Sequence, residues 1–314
     1  MSAFRQFSTA LGVCEIDAVL LSPDSSRLSL RLSEHVHARA GLLQLDCAVR
    51  GRFVLPDDVC LLVHVDQTGA QSWCHGQAFA RHSAVLLRPR GSSEFMLDAG
   101  SRLLFIVVRQ DWIRPLFASG GGETAGWDVC AAHFSIGTAA SPAGLLQLYQ
   151  SLAGELEAGI ENALAGVRPV ADEALLREVI QTHLREAQSL HPDDRIPNSR
   201  SQRTHYLVLQ RVEHFMRSRL RKDIYLHEMC EAGGVSERTL RNVFEHMVGV
   251  SPNRYLAMMR LCMAYRSLAR ADMSRQSVKS VALSFGLWDL SRFADNYRRI
   301  FGELPRATLS GDGA

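Results

Sequence analysis

Between residues 28 and 108 the apolar positions come in short runs. Segments 28–32, 42–49, 59–65, 84–87, 94–97 and 103–108 are rich in Val, Leu, Ile and Phe, and residues of the Gly, Pro, Asp and Ser type separate them. Short, evenly spaced strands of this kind predict an antiparallel barrel or sandwich. A cupin-like β-barrel is the expectation adopted for this half. A short helix is expected at 111–117 and a flexible break at 119–122. From residue 142 the period lengthens. Leu145, Leu148, Leu152, Leu156 and Ile160 recur at helical spacing, as do Leu175, Val179, Leu184 and Ala187. Such a helix pair with exposed leucines would serve as a dimer surface; the alternative is that the leucines pack on the barrel. The polar stretch 191–202, with Pro192 and Pro197, reads as a linker. The expected division is 1–190 for a barrel with a helical dimerisation segment, 191–203 for the linker, and 204–314 for an all-α domain, an α+β chain overall.

The last hundred residues carry one pattern twice. Residues 226–244 read LHEMCEAGGVSERTLRNVF and are followed by GVSP at 249–252. Residues 278–297 read VKSVALSFGLWDLSRFADNY and are followed by GELP at 302–305. Each has a short amphipathic run, a small residue (Cys230, Ala282), a glycine four positions on (Gly234, Gly286) and a second amphipathic run. Steeply crossing helices need a small side chain at their contact and a turn residue tolerant of positive φ, so this is a helix-turn-helix pattern. An apolar plug follows each glycine, Val235 and Leu287. Leu240, Val243 and Phe244 form the buried stripe of one second helix. Phe293, Tyr297, Ile300 and Phe301 form that of the other. Ser236 is the expected N-cap of the first, and Asp289 or Ser291 that of the second.

The opposite faces are then the reading surfaces. The first offers Glu237, Arg238, Arg241, Asn242 and Glu245, with Ser236 at its start, and the second Leu290, Ser291, Ala294, Asp295 and Arg298. Arg and Asn match guanine and adenine edges in the major groove, so the first face is the better base reader. Arg254, Arg260 and Lys279 are expected at phosphates, and Ser280 is a further DNA-binding candidate. Residues 252–269 form a joining helix about 27 Å long. Successive major-groove faces lie about 34 Å apart, so this rod would set both readers on one side of a slightly bent duplex.

Both units, the joining stretch after Pro252 and the ending from Phe301 to Pro305 resemble the DNA-binding domain of the AraC/XylS family of bacterial transcription regulators. The resemblance covers about residues 206–309, with Gly286-Leu287 where the family usually has Gly-Phe. Residues 286–293 further resemble the Gly-Phe-Trp-His branch that includes ethanolamine-operon regulators, and residues 87–97 are similar to that branch too. The resemblance implies a sequence-specific regulator, an activator by expectation. Its implied partners are double-stranded DNA, RNA polymerase, a small-molecule effector held by the N-terminal half, and a second copy of the chain.

Charge agrees with this division. Residues 1–203 carry 18 Lys and Arg against 22 Asp and Glu, a net −4, while residues 204–314 carry 17 against 11, a net +6. The basic half is the one with the repeated motif, as phosphate attraction requires. The seven cysteines are odd in number and form no CxxC, which argues against a disulfide framework or zinc knuckle and for a reduced cytoplasm. No signal peptide or membrane span is read.

A metal-dependent barrel enzyme is the first rival reading. His35 and His37 form an HxH pair, with His64, His75 and His82 on or near later strands, but no Glu follows at the needed spacing. The histidines are read as surface or hydrogen-bonded groups, and no catalytic residue, metal or cofactor is assigned. A helical adaptor that binds protein is the second rival. Trp73, His75, Arg88, Arg90, Glu94 and Phe95 are the candidate effector-pocket residues.

Overall fold

The computed structural model describes residues 16–22, 28–79, 82–89, 91–118, 131–135, 143–163, 171–189, 199–271 and 276–311. The N-terminal half is two antiparallel sheets. Strands β1 (Asp17–Leu20), β4 (Val49–Val54), β9 (Ser92–Leu97), β6 (Trp73–Cys74) and β7 (Gln77–Ala78) lie side by side in that order. In the larger sheet the order is β11 (Ala131–Ser135), β8 (Ser83–Leu87), β5 (Val59–Gln67), β10 (Arg102–Arg109), β3 (Ala38–Leu45) and β2 (Leu28–Glu34). The expected closed barrel is therefore corrected to a two-sheet arrangement: the small sheet and the large sheet share no strand pairing among the described residues. The expected strand at 42–49 divides into β3 and β4. Helix α1 (Gln110–Ala118) follows β10, as expected for 111–117.

Alternation gives each strand two uses. Leu61, Val65, Val85, Leu87, Leu103 and Phe105 join Val49, Phe53 and Leu97 in the core between the sheets. The alternate residues Cys60, Leu62, Ala84, Leu86, Leu104 and Ile106 face the other way. There they pack with Leu145, Tyr149, Leu152 and Leu156 of α2 (Ala143–Ala163) and Leu176, Val179, Ile180 and Leu184 of α3 (Glu173–Ser189). The expected exposed leucines are thus consumed inside one chain, with Leu148, Leu175 and Ala187 half-buried against the same cluster. The side chain of Ile160 lies outside the described residues.

The second half is helical: α4 (Arg200–Ser218), α5 (Leu226–Gly233), α6 (Glu237–Val248), α7 (Pro252–Arg270), α8 (Val278–Ser284), α9 (Leu290–Phe301) and α10 (Pro305–Ser310). Helix α4 starts inside the stretch read as linker, because Ser199 caps it by accepting from the Gln202 amide. The part of that stretch from 191 to 198 lies outside the described residues. Much of the outer face of the small sheet is covered. Helices α4 and α7 cover it, and the contact is held by charge as well as apolar packing. The Arg50 guanidinium, 2 % exposed, bonds both carboxylate oxygens of Glu213 on α4 at 3.1 and 2.8 Å and Glu94 at 2.6 Å. Tyr255 of α7 donates to Glu213 as well. Burial opposes the charge on Arg50, and Glu213 and Glu94 more than offset this, holding it protonated. One edge away, Asp17 meets Arg217 and Arg266 at 2.5 Å each and Arg52 at 3.0 Å.

Candidate nucleic-acid interface

In the first unit α5 and α6 meet at a tight corner. Met229 and Gly233 of α5 are buried, and a Cβ on Gly233 would stand 3.1 Å from Val212 of α4; the expected contact residue, Cys230, is half-buried and packs against the same core. Gly234 closes α5 in the left-handed region at φ 66°. Ser236 caps α6 by accepting from the Thr239 amide, and Leu240, Val243 and Phe244 are buried together with Met247 and Val248. In the second unit Ala282 is fully buried. Gly286 turns the chain at φ 71°, and a Cβ there would lie 2.7 Å from the Leu220 carbonyl oxygen, so only glycine fits. Asp289 is the cap of α9, accepting from the Arg292 amide at 2.9 Å. Phe293, Tyr297 and Ile300 are its buried stripe.

Helix α7 makes the two units one body. Pro252 occupies its first turn, and Tyr255 packs edge-on against Phe244 with ring centroids 5.5 Å apart. At its other end Tyr265 packs on Tyr297 and Phe301, at 5.9 and 4.7 Å. Nineteen residues give it a length of about 28 Å. Each reading helix ends on a left-handed glycine, Gly249 or Gly302, and a proline opens the next helix.

Ser236, Glu237, Arg238, Arg241 and Asn242 are all exposed on α6. Arg241 is held by Glu237 at 2.6 Å; both side chains are more than half exposed, so the pair is weak and easily exchanged for a base or phosphate. On α9, Ser291, Asp295 and Arg298 are exposed and Leu290 is half-buried. Arg292 and Arg299, which the motif reading passed over, are exposed on the same helix. Arg254 and Lys279 are exposed at the starts of α7 and α8. The hydroxyl of Ser280 is engaged at the start of α8, bonded with the Ser277 backbone. Arg260 is placed otherwise than expected. Its guanidinium donates to the Lys222 carbonyl at 2.6 Å and packs under Gly286, and burial lowers its pKa. It braces the second corner.

The C-terminal end of α6 touches the small sheet. Gln71 donates to the Glu245 carbonyl at 2.7 Å, and Trp73 Nε1 to the Met247 carbonyl at 2.8 Å. The Glu245 carbonyl also accepts from the Gly249 amide, while carbonyls at the very end of a helix lack intrahelical partners, so Trp73 caps the reading helix at Met247. Trp73 is 2 % exposed, stacks under Arg50 at 4.8 Å and meets Tyr206 edge-on. It is an interdomain anchor, not the pocket wall expected.

Of the other candidate effector residues, Glu94 and Phe95 line an apolar cavity of about 60 Å³ between the sheets, with Leu43, Phe53, Leu61 and Phe105 among the remaining walls. His75 and Arg88 are not among its walls, and Arg90 lies outside the described residues. Burial lowers the His75 pKa, and burial raises that of Glu94, but Arg50 and the hydrogen bonds of Gln210 and Tyr206 leave it below the ordinary value. Glu94 thus borders the cavity and holds the Arg50 cluster at once. Sequence offers only one hint of that cluster, an arginine between apolar neighbours on a strand.

Two helix-turn-helix units locked on one joining helix, with polar and cationic faces outward, define a tandem helix-turn-helix DNA-binding domain. Residues 229–311 match the family model of a helix-turn-helix domain. Over 100 residues the chain is 36% identical to the XylDLEGF operon transcriptional activator of Pseudomonas putida, covering 32% of this chain and 31% of that protein. Over 117 residues it is 32% identical to the HTH-type transcriptional regulator GbdR of Pseudomonas aeruginosa, covering 37% of this chain and 31% of that one. Among solved structures, a probable AraC family transcriptional regulator from Rhodopseudomonas palustris is 28% identical with a TM-score of 0.30, over 33% of this chain and 95% of that one. Over this domain the chain is similar to regulators of the AraC/XylS family. The match spans about a third of the relatives' length, 31% for the first. No described helix is long and apolar enough to cross a membrane.

Proposed function

We propose that this chain is a sequence-specific transcription regulator of the AraC/XylS type, not an enzyme, and that it acts as an activator under the control of a small molecule. The observation that carries the reading is the pair of corners fastened to α7, each presenting an exposed second helix. Arg238, Arg241 and Asn242 read bases from α6, and Ser291, Arg298 and Arg292 contact DNA from α9. Arg254 and Lys279 meet phosphates. The protein works in the cytoplasm on double-stranded DNA, recruits RNA polymerase, and pairs with a second copy through the N-terminal domain. With the leucines of α2 and α3 turned inward, that pairing rests on the polar outer faces of these helices and on the general preference for symmetric dimers. The likeness of residues 286–293 and 87–97 to the ethanolamine-operon branch supports a regulator of that branch.

The N-terminal half, a cupin-like pair of sheets, is the sensor. At about 60 Å³ its cavity is well short of the roughly 300–1,000 Å³ of sites for drug-sized ligands. An effector therefore parts the sheets as it enters. Such a movement reaches α6 through Glu94, Arg50 and Trp73, since Trp73 bonds the last turn of the reading helix. The test is titration of the full chain against DNA flanking its own gene at several salt concentrations. Affinity for one segment must exceed that for random DNA and fall linearly on a log–log salt plot. Equal, salt-insensitive binding to all sequences would favour the protein-binding adaptor instead.

A further inference from the structure

The outer face of the large sheet holds a group of side chains that DNA reading does not use. His64 and Asp66 stand two apart on β5, so both point to the same face. His82 lies immediately before β8, and its amide donates to the Val65 carbonyl at 3.0 Å, continuing the β5–β8 ladder. That register sets His82 across from Asp66. Donor atoms of all three lie within 4.8 Å of one another. The face is the one toward α2 and α3, opposite to the cavity between the sheets: Leu61, Val63 and Val85 line the cavity, while His64 stacks on Tyr149 of α2 at 4.6 Å.

We propose that His64, Asp66 and His82 bind a borderline first-row divalent metal ion of the zinc class. Three observations carry this. The donor set is two imidazoles and a carboxylate, which suits Zn²⁺, Co²⁺, Ni²⁺ or Cu²⁺ better than Ca²⁺ or Mg²⁺. The Nδ1 atoms of His64 and His82 are buried and have no hydrogen-bond partner among the described residues. Native structures rarely leave such an atom unmatched, and an absent ion is one standing explanation. Finally, His82 adopts φ 59°, a left-handed conformation uncommon for a non-glycine residue, and its ring lies parallel to that of His64 with centroids 5.9 Å apart.

Bonds of about 2.0–2.2 Å to a tetrahedral ion put donor atoms about 3.3 Å apart, so the side chains need to close by no more than about 1.5 Å. Asp66 also has Arg102 at 3.3 Å, and Arg102 reaches Glu157 of α2 at 3.0 Å. When Asp66 turns to the ion, Arg102 keeps Glu157. Behind His64, the Tyr149 hydroxyl and His183 Nδ1 lie 2.6 Å apart, a hydrogen-bonded backing that fixes the aromatic wall. Three protein ligands leave a position for water. The bound ion would tie β5 to the turn before β8 beneath the α2–α3 layer. The site stands whether or not the chain regulates transcription.

The test uses the full chain, stripped of metal by chelation and titrated with Co²⁺ and then Zn²⁺. One equivalent of Co²⁺ should give visible bands of a low-coordinate ion without thiolate charge transfer, and Zn²⁺ should displace it. His82 and Asp66 are half-buried, so His82→Asn and Asp66→Asn should fold. Apo melting checks this. Each should weaken Zn²⁺ binding by more than about 100-fold, beyond the 10–100-fold that loss of an outer partner costs. His37→Ala, in the separate HxH pair, should change nothing. No stoichiometric uptake by the wild-type chain, a thiolate charge-transfer band, or undiminished uptake by folded His82→Asn and Asp66→Asn would each overturn the proposal.

Discussion

Arg50→Met is the most informative single change at the contact between the two halves. The side chain is 2 % exposed and gives hydrogen bonds to Glu213, Glu94 and the carbonyls of Gly51 and Phe95. Removing it leaves two carboxylates, 3 % and 10 % exposed, facing one another without a cation. Breaking a buried ion pair by removing one partner costs about 3–5 kcal/mol. At about 1.4 kcal/mol per tenfold, this is a loss of about a hundred- to a few thousand-fold in the docked population. Replacing all three groups together, as Arg50→Met with Glu94→Met and Glu213→Met, removes the stranded charges, so most of the loss should return. Urea unfolding of the full chain, followed by Trp fluorescence, measures both variants, and Trp73 sits in the contact. For scale, Glu237→Ala breaks an exposed pair and should cost under about 1 kcal/mol. A loss under about 1 kcal/mol for Arg50→Met, or a triple variant no better than the single one, would show that the cluster does not hold the halves together.

Other outcomes follow from the same geometry. Arg241→Ala should cost about 1–3 kcal/mol at the specific DNA site and relax specificity there, whereas Lys279→Ala should weaken all sequences alike and make the salt slope shallower; parallel titrations on specific and random DNA separate the two. Ala282→Leu overfills the α8–α9 corner and should cost about 1–3 kcal/mol in thermal or urea unfolding, with DNA binding lost as well. Gly286→Ala should also destabilise, because of its positive φ and the Leu220 carbonyl. Acid should undock the halves. Burial raises the pKa of Asp17, but Arg266, Arg217 and Arg52 outweigh it, and Glu94 is likewise held below its ordinary value. A carboxylate with a depressed native pKa contributes stability that is full above its unfolded value and is lost as pH falls through the native one. Melting should therefore weaken below about pH 4, and less steeply in Asp17→Asn. An identical acid profile in that variant would remove Asp17 from the account.

The helical half was legible because its local signals agree. A 3.6-residue stripe, an N-cap and a C-terminal glycine mark α6 independently, and Leu240, Val243, Phe244, Ser236 and Gly249 each take the role their spacing implies. The choice between Asp289 and Ser291 as the α9 cap stayed open in sequence because either carries a suitable oxygen; the Asp289 carboxylate reaches the amide. The sheets were less legible. Alternation tells which residues share a face, but not whether a sheet closes or what covers it. Nothing in β4 indicates that Arg50 faces a helix 163 positions away. Trp73 reads as pocket rim or wall for the same reason, since its partner is 174 positions distant. Strands as short as β6 and β7 present no period at all. Arg260 looked like a phosphate ligand because a cation on a DNA-binding helix usually is one, and its use under Gly286 depends on how α7 and α8 cross.

Hydroxyl-radical footprinting of the full chain on its specific DNA tests the central claim most directly. Two reading helices on one rigid α7 should protect two patches on one face of the duplex, about 10–10.5 bp apart for each bound domain. Arg241→Ala should erase one patch, and Arg298→Ala with Arg292→Ala the other. A single patch per domain, or substitutions on α6 and α9 that fade the same patch, would contradict the account.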